Sequence, residues 1–199
     1  MYKEICNKMD KYLAKQKDEV AQTIMMLAEY PSIQESPAPD APFGKPCREC
    51  LDAAVELMNK NGFSAQVRGE GRYGLASYGN GEKTIGIFAH TDVVPVSFED
   101  WIYTEPFCPK RIGDVLVGRG VQDDKAGVAM AIYAVKLLEY CGLTPKSSIS
   151  VFLGSNEESG MEDIERYTKE NKMPDVSLVP DADFPVSFGE KGICRAHIL

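Results

Sequence analysis

The chain has 199 residues, 44% hydrophobic and 26% charged, with a formal charge of −8 and a pI near 4.9. That length and balance describe a globular domain large enough for a real core. The acidic surface excludes sequence-independent nucleic-acid binding, and no apolar run approaches the ~20 residues of a membrane span.

The N-terminus, MYKEICNKMDKYLAKQKDEV, is too charged for a signal peptide and points to the cytoplasm. The six cysteines (Cys6, Cys47, Cys50, Cys108, Cys141 and Cys194) then read as reduced thiols. Apolar residues at Leu13, Val20, Ile24 and Leu27 predict an amphipathic helix over residues 10 to 30. After the proline-rich loop PSIQESPAPDAPFGKP comes a helix around 46 to 60, ended by Asn61-Gly62. It carries the lone C-x-x-C of Cys47 and Cys50; at i and i+3 they share a helix face and read as structural thiols.

FSAQV and YGLASYG predict paired strands around a Gly-Glu-Gly-Arg turn. TIGIFAH (84 to 90) is a short apolar run with the character of a buried strand. A long loop with Trp101, Pro106 and Pro109 leads to a strand at DVLVG. Val128, Ile132, Val135 and Leu138 then mark a helix closed by Cys141-Gly142. SSISVFLGS predicts a buried strand, MEDIERYTKEN a helix, DVSLVP a further buried strand, and GICRAHIL a last one. This alternation is that of an α/β fold with a largely parallel central sheet flanked by helices.

Open α/β sheets place their ligands beyond the carboxyl ends of the strands. After TIGIFA stand His90 and Asp92; after DVLVGRGVQ, Asp123 and Asp124; after SISVFLGSN, Glu157 and Glu158; after DVSLVP, Asp181 and Asp183. If the strands are parallel neighbours, seven carboxylates and one histidine converge on one rim. Divalent cations are the natural counter-charge. His90 and Asp92, at i and i+2 of an extended segment, face the same way, so a carboxylate can orient the ring while the other nitrogen binds metal. One glutamate of the pair can bind metal while the other handles protons. Mixed nitrogen and oxygen donors suit zinc, and also manganese or cobalt. Nucleotide binding at Gly118-Arg119-Gly120 is disfavoured, because Asp123 stands where the third glycine of G-x-G-x-x-G belongs.

FAHTDVVP, the Trp101 loop with Pro106-Phe107, GRGVQDDKAG, SNEESG and VPDADFPVSFGEKG resemble, in this order, the motifs of the co-catalytic zinc peptidases. That family includes aminoacylases, acetylornithine deacetylase, succinyl-diaminopimelate desuccinylase, carboxypeptidase G and carnosinase. APFGKP and PDADFPVSFGEKG are most similar to the bacterial broad-specificity dipeptidases. The resemblance implies that His90 binds one metal with Asp92 supporting its ring. It makes Asp123 the bridge between two zinc ions, Glu157 the general base, Glu158 a ligand of the second ion and Asp181 a ligand of the first. Asp183 receives no such role. The implied reaction is hydrolysis of a dipeptide by a metal-activated water, with no protein nucleophile, so Ser155 and the cysteines stand aside. Relatives join the two aspartates by a cis peptide, which implies a cis Asp123–Asp124 bond with Asp123 alone on metal and Asp124 kept as a helix start.

The family's second-metal histidine follows an inserted lid. Here the histidines are His90 and His197, and His197 directly follows GEKG. Residues 1 to 199 are thus expected to be the N-terminal part of a catalytic domain, without the lid and dimerisation domain or the C-terminal part, and impaired in turnover. Two alternatives to dipeptide hydrolysis stay open: a small N-acyl amino acid substrate, as for a deacylase or desuccinylase, and a non-catalytic relic of the fold. Oligomeric state is not legible.

Overall fold

The computed structural model describes residues 2–183, 185–189 and 192. Helix α1 (Tyr2–Ala28) starts earlier than its apolar spacing predicts, because its first turns are largely exposed and polar. Helix α2 (Lys45–Lys60) has Pro46 in its first turn, where no intrahelical N–H is lost, and ends at Asn61. Strands β1 (Ser64–Arg68) and β2 (Tyr73–Tyr78) form the expected antiparallel pair around the Gly69–Gly71 turn. Strand β3 (Thr84–His90) follows, then a hairpin of β4 (Lys110–Ile112) and β5 (Val115–Val117). Helix α3 (Lys125–Tyr140), β6 (Ser148–Gly154), α4 (Glu162–Glu170) and β7 (Val176–Leu178) complete the order.

The main sheet runs β1-β2-β6-β3-β7. It is mixed: β1–β2 and β2–β6 are antiparallel, while β6–β3 and β3–β7 are parallel. Each parallel pairing needs a crossover, supplied by α3 between β3 and β6 and by α4 between β6 and β7. The period-2 alternation of strands sorts side chains to two faces. On one face Ala89, Val151 and Leu153 join Leu27, Leu51, Met58, Val128 and Ile132 of α1, α2 and α3 in the main core. On the other, Phe152 and Phe88 meet Tyr73 and Tyr167, so α4 covers the opposite side through a small aromatic cluster.

Two expectations are corrected. DVLVG does not join the main sheet; β5 pairs with β4 in a separate hairpin held to α1 by Lys17–Asp114 and Arg111–Asp18 ion pairs. Gly113 takes a positive φ of 61° in the hairpin turn, which lets β5 fold back on β4 instead of extending into the sheet. DVSLVP is not a buried strand: Val176, Ser177 and Leu178 are exposed, because β7 is short and pairs with β3 alone among the described residues. GICRAHIL, with His197, lies outside the described residues apart from Gly192.

Candidate metal centre

Three parallel strands deliver the site. His90 ends β3 directly beside Gly154 at the end of β6, and Asp181 lies three residues beyond the end of β7. Gly154 is needed for this approach: a Cβ there would stand 2.8 Å from Asp163 Oδ2 and 3.2 Å from His90 Cβ. Asp123 arrives from a different direction, at the entrance to α3, not from a sheet strand.

His90 is 2% exposed and is fixed from behind. Its Nδ1 lies 3.0 Å from the Asp92 backbone carbonyl and 3.5 Å from the Asp92 carboxylate. The ring is thus oriented first by a peptide oxygen, which refines the expected His90–Asp92 carboxylate pair. The Asp92 carboxylate is occupied elsewhere: its two oxygens accept the N–H groups of Glu157 at 3.2 Å and Glu158 at 3.1 Å. Asp92 therefore ties the glutamate turn to the histidine.

The free ring nitrogen faces the rim. His90 Nε2 lies 3.0 Å from Asp123 Oδ1, 3.5 Å from Asp181 Oδ2 and 3.9 Å from Glu157 Oε2. Ligand atoms of His90, Asp123 and Glu158 all fall within 4.8 Å of one another, and so do those of His90, Asp124 and Asp181. Asp183 is exposed and joins neither group.

Asp124 belongs to the fold more than to the rim. It is fully buried, its Oδ2 accepts the His90 backbone N–H at 3.3 Å, and its Oδ1 caps α3 by accepting the Gly127 N–H at 3.1 Å. The Asp123–Asp124 peptide is cis, as the resemblance implied.

The electrostatics are those of a site short of positive charge. Among the described residues no lysine or arginine pairs with Asp123, Glu157, Glu158 or Asp181. Burial pulls the His90 pKa down, but the hydrogen bond and charge of Asp92 and the charges of Asp124 and Asp181 outweigh it and raise it to about 10. Burial, then the charge of Asp181, pushes Asp124 up to about 8. Burial also raises Glu157, Glu158 and Asp181, each partly offset by His90. Despite its crowded surroundings, His90 Nε2 is buried with no hydrogen-bond partner. An orphaned imidazole nitrogen facing several carboxylates matches the donor chemistry of a divalent cation.

Beside the rim lies a groove of about 300 Å³ with walls that include Phe88, Phe152, Met161 and Val179. Ser155 is not poised as a nucleophile, since its hydroxyl donates to the Arg72 carbonyl at 2.6 Å. Cys47 and Cys50 are buried thiols; burial pushes Cys47 up to about 12 and raises Cys50, which keeps both protonated and inert.

Residues 86–194, more than half of the chain, match the model of peptidase family M20/M25/M40. The chain belongs to this peptidase family. It is 36% identical over 160 residues to an inferred dipeptidase of Staphylococcus aureus (strain USA300), covering 80% of this chain and 34% of that protein. An inferred dipeptidase of Staphylococcus epidermidis is 38% identical over the same shares. The fold matches human carnosine dipeptidase 1, with a TM-score of 0.77 and 22% identity, over 89% of this chain and 41% of that one. It also matches the dipeptidase Dug1p of Saccharomyces cerevisiae, with a TM-score of 0.71 and 20% identity, over 82% of this chain and 37% of that one. This family member spans about a third of the length of the curated relatives it matches.

Sequence reasoning passed over two residues around the site. Lys125 is 0% exposed and its ammonium donates to the Tyr30 carbonyl at 2.9 Å; a lysine beside two aspartates reads as solvated, since lysine is rarely buried. Asp163, 1% exposed, stands at the start of α4, where an acidic residue ordinarily serves the helix dipole in solvent. The signal for Asp163 was its distance of only a few residues from the glutamate pair.

Proposed function

We propose that this chain is the N-terminal part of the catalytic domain of a metal-dependent dipeptidase, with the lid and the rest of that domain supplied by a longer protein. The observation that carries the reading is His90 Nε2, buried without a hydrogen-bond partner and ringed by Asp123, Asp181 and Glu157 with no lysine or arginine among them. Family membership and relatives named as dipeptidases support peptide hydrolysis as the reaction.

His90, Asp123 and Asp181 would hold one cation, and Asp123 with Glu158 would share a second; zinc fits these donors, as do manganese and cobalt. Such a cation supplies a Lewis acid that lowers the pKa of water and polarises a carbonyl. Glu157 takes the proton of the attacking water and returns it to the leaving amine, so the C–N bond breaks with no covalent enzyme intermediate. Burial raises the Glu157 pKa, which makes it a better base than a solvated glutamate. Asp92 orients His90 through its carbonyl and the glutamate turn through its carboxylate. A cytoplasmic location stays part of this proposal, resting on the charged N-terminal segment; no helix of the described residues is long and apolar enough to cross a membrane.

The test is to assay the longer protein that carries this sequence on dipeptides, N-acetyl and N-succinyl amino acids, with and without chelator. Chelator-sensitive dipeptide hydrolysis is expected, with residues 1–199 alone turning over poorly. Selective cleavage of the N-acyl substrates would replace the dipeptide reading with a deacylase.

A further inference from the structure

The turn between β6 and α4 carries both glutamates of the rim, and four successive backbone N–H groups in it end on two buried carboxylates. Asp163 Oδ2 accepts from Ser155 N–H at 2.7 Å and Asn156 N–H at 2.9 Å. Asp92 takes the next two, from Glu157 and Glu158. Asn156 closes the far side: its carbonyl accepts the Met161 N–H at 2.8 Å and its side-chain oxygen accepts the Glu162 N–H at 3.0 Å.

Asp163 is 1% exposed and pairs with no lysine or arginine among the described residues. Its other oxygen accepts the Ile164 N–H at 2.7 Å, so three backbone N–H groups face its charge; burial still outweighs them and raises its pKa. A buried carboxylate without a cation is a demanding choice for the second residue of α4, whose N-cap position is Met161. What the carboxylate adds is a charged oxygen, Oδ2, strong enough to hold two neighbouring N–H groups of an irregular turn at once, while Oδ1 serves the start of α4.

We propose that Asp163 is a positioning residue that, with Asp92, sets the turn from which Glu157 and Glu158 reach the rim. The proposal rests on the metal reading above for its effect on cations, but not for the clamp itself. Its selectivity follows from topology. His90, Asp123 and Asp181 come from β3, the entrance to α3 and the segment after β7, none of which Asp163 holds. Loss of Asp163 therefore loosens the second cation's glutamate and the base and leaves the first cation's ligands in place.

The experiment compares the longer protein proposed above, which would carry the remaining ligands of the second cation, with its Asp163→Ala variant and with Asp163→Asn, which preserves size if the alanine variant fails to fold. Amide exchange is followed residue by residue, and Co(II) alone is titrated by calorimetry and visible absorption. Exchange at residues 155–158 is expected to quicken by about tenfold or more while β6 and the body of α4 stay protected. The second Co(II) equivalent is expected to weaken by about 10- to 100-fold and the first by less than about twofold. Unchanged exchange at 155–158 overturns the clamp, and so does equal weakening of both equivalents in step with global stability. If the unsubstituted protein takes up no Co(II), the metal reading fails, and the exchange data alone decide the clamp.

Discussion

Asp123 and Asp124 serve opposite ends of the same histidine: Asp123 Oδ1 lies 3.0 Å from His90 Nε2, while Asp124 Oδ2 accepts the His90 backbone N–H at 3.3 Å. One aspartate meets the reactive edge of the ring and the other holds the strand end that carries it. The two substitutions should therefore separate stability from cation binding. Asp124→Ala removes a helix cap and leaves the buried His90 N–H without its acceptor, a loss of about 1–3 kcal/mol. Asp123→Asn should leave the melting temperature nearly unchanged, since its side chain is 56% exposed, but abolish tight Co(II) uptake. Thermal melts with and without Co(II) check both, and the reverse pattern would contradict the division of labour.

Cation uptake should release a proton. His90 is raised to about 10, because Asp92, Asp124 and Asp181 outweigh its burial. At neutral pH the ring is thus protonated, and Nε2 must lose its proton before it can bind. About one proton should leave per first cation bound at pH 7, with affinity rising as pH rises, by up to about tenfold per unit below the folded pKa. Calorimetry in two buffers of different ionisation enthalpy measures this directly. An affinity flat between pH 6 and 8 would rule it out.

Glu157→Gln, made in a protein that carries this chain together with the proposed remainder of the catalytic domain, should lower kcat by about 10²- to 10⁴-fold, the usual contribution of a general base. Co(II) stoichiometry should be retained, because Glu157 is farther from His90 Nε2, at 3.9 Å, than Asp123 or Asp181. Turnover surviving this change would remove Glu157 from the reaction.

The core behind the site should be sensitive to cavities. Ile132 is 0% exposed on α3, the helix whose start presents both aspartates. Ile132→Ala should destabilise the fold by about 2–5 kcal/mol, read by urea denaturation. At temperatures where the variant stays folded, its Co(II) affinity should match the parent's.

The α/β alternation and the four acidic chain segments were legible because apolar runs, helical spacing and glycine stops are local signals. Helix α1 was legible only in part, since its first turns show little amphipathic contrast and are largely exposed. Strand β5 is legible as a strand, but its pairing with β4 is not, because Val115, Leu116 and Val117 have strand character whichever partner they choose. The partner is chosen by a turn at Gly113 and by ion pairs to α1, which no local pattern shows. The edge position of β7 was hidden for a similar reason, because an apolar triplet does not reveal how many neighbours it has.

By itself the sequence determined which residue types stand after the strands, and through them the family and the chemistry it implies. Tertiary structure decided how those residues divide the work. Only packing could show that the Asp92 carboxylate serves peptide N–H groups while its carbonyl orients His90. Only packing could bury Asp163 against the glutamate turn. Hydrogen-bond acceptors are chosen by distances of a few ångströms between segments far apart in the chain, and residue order alone does not specify those distances.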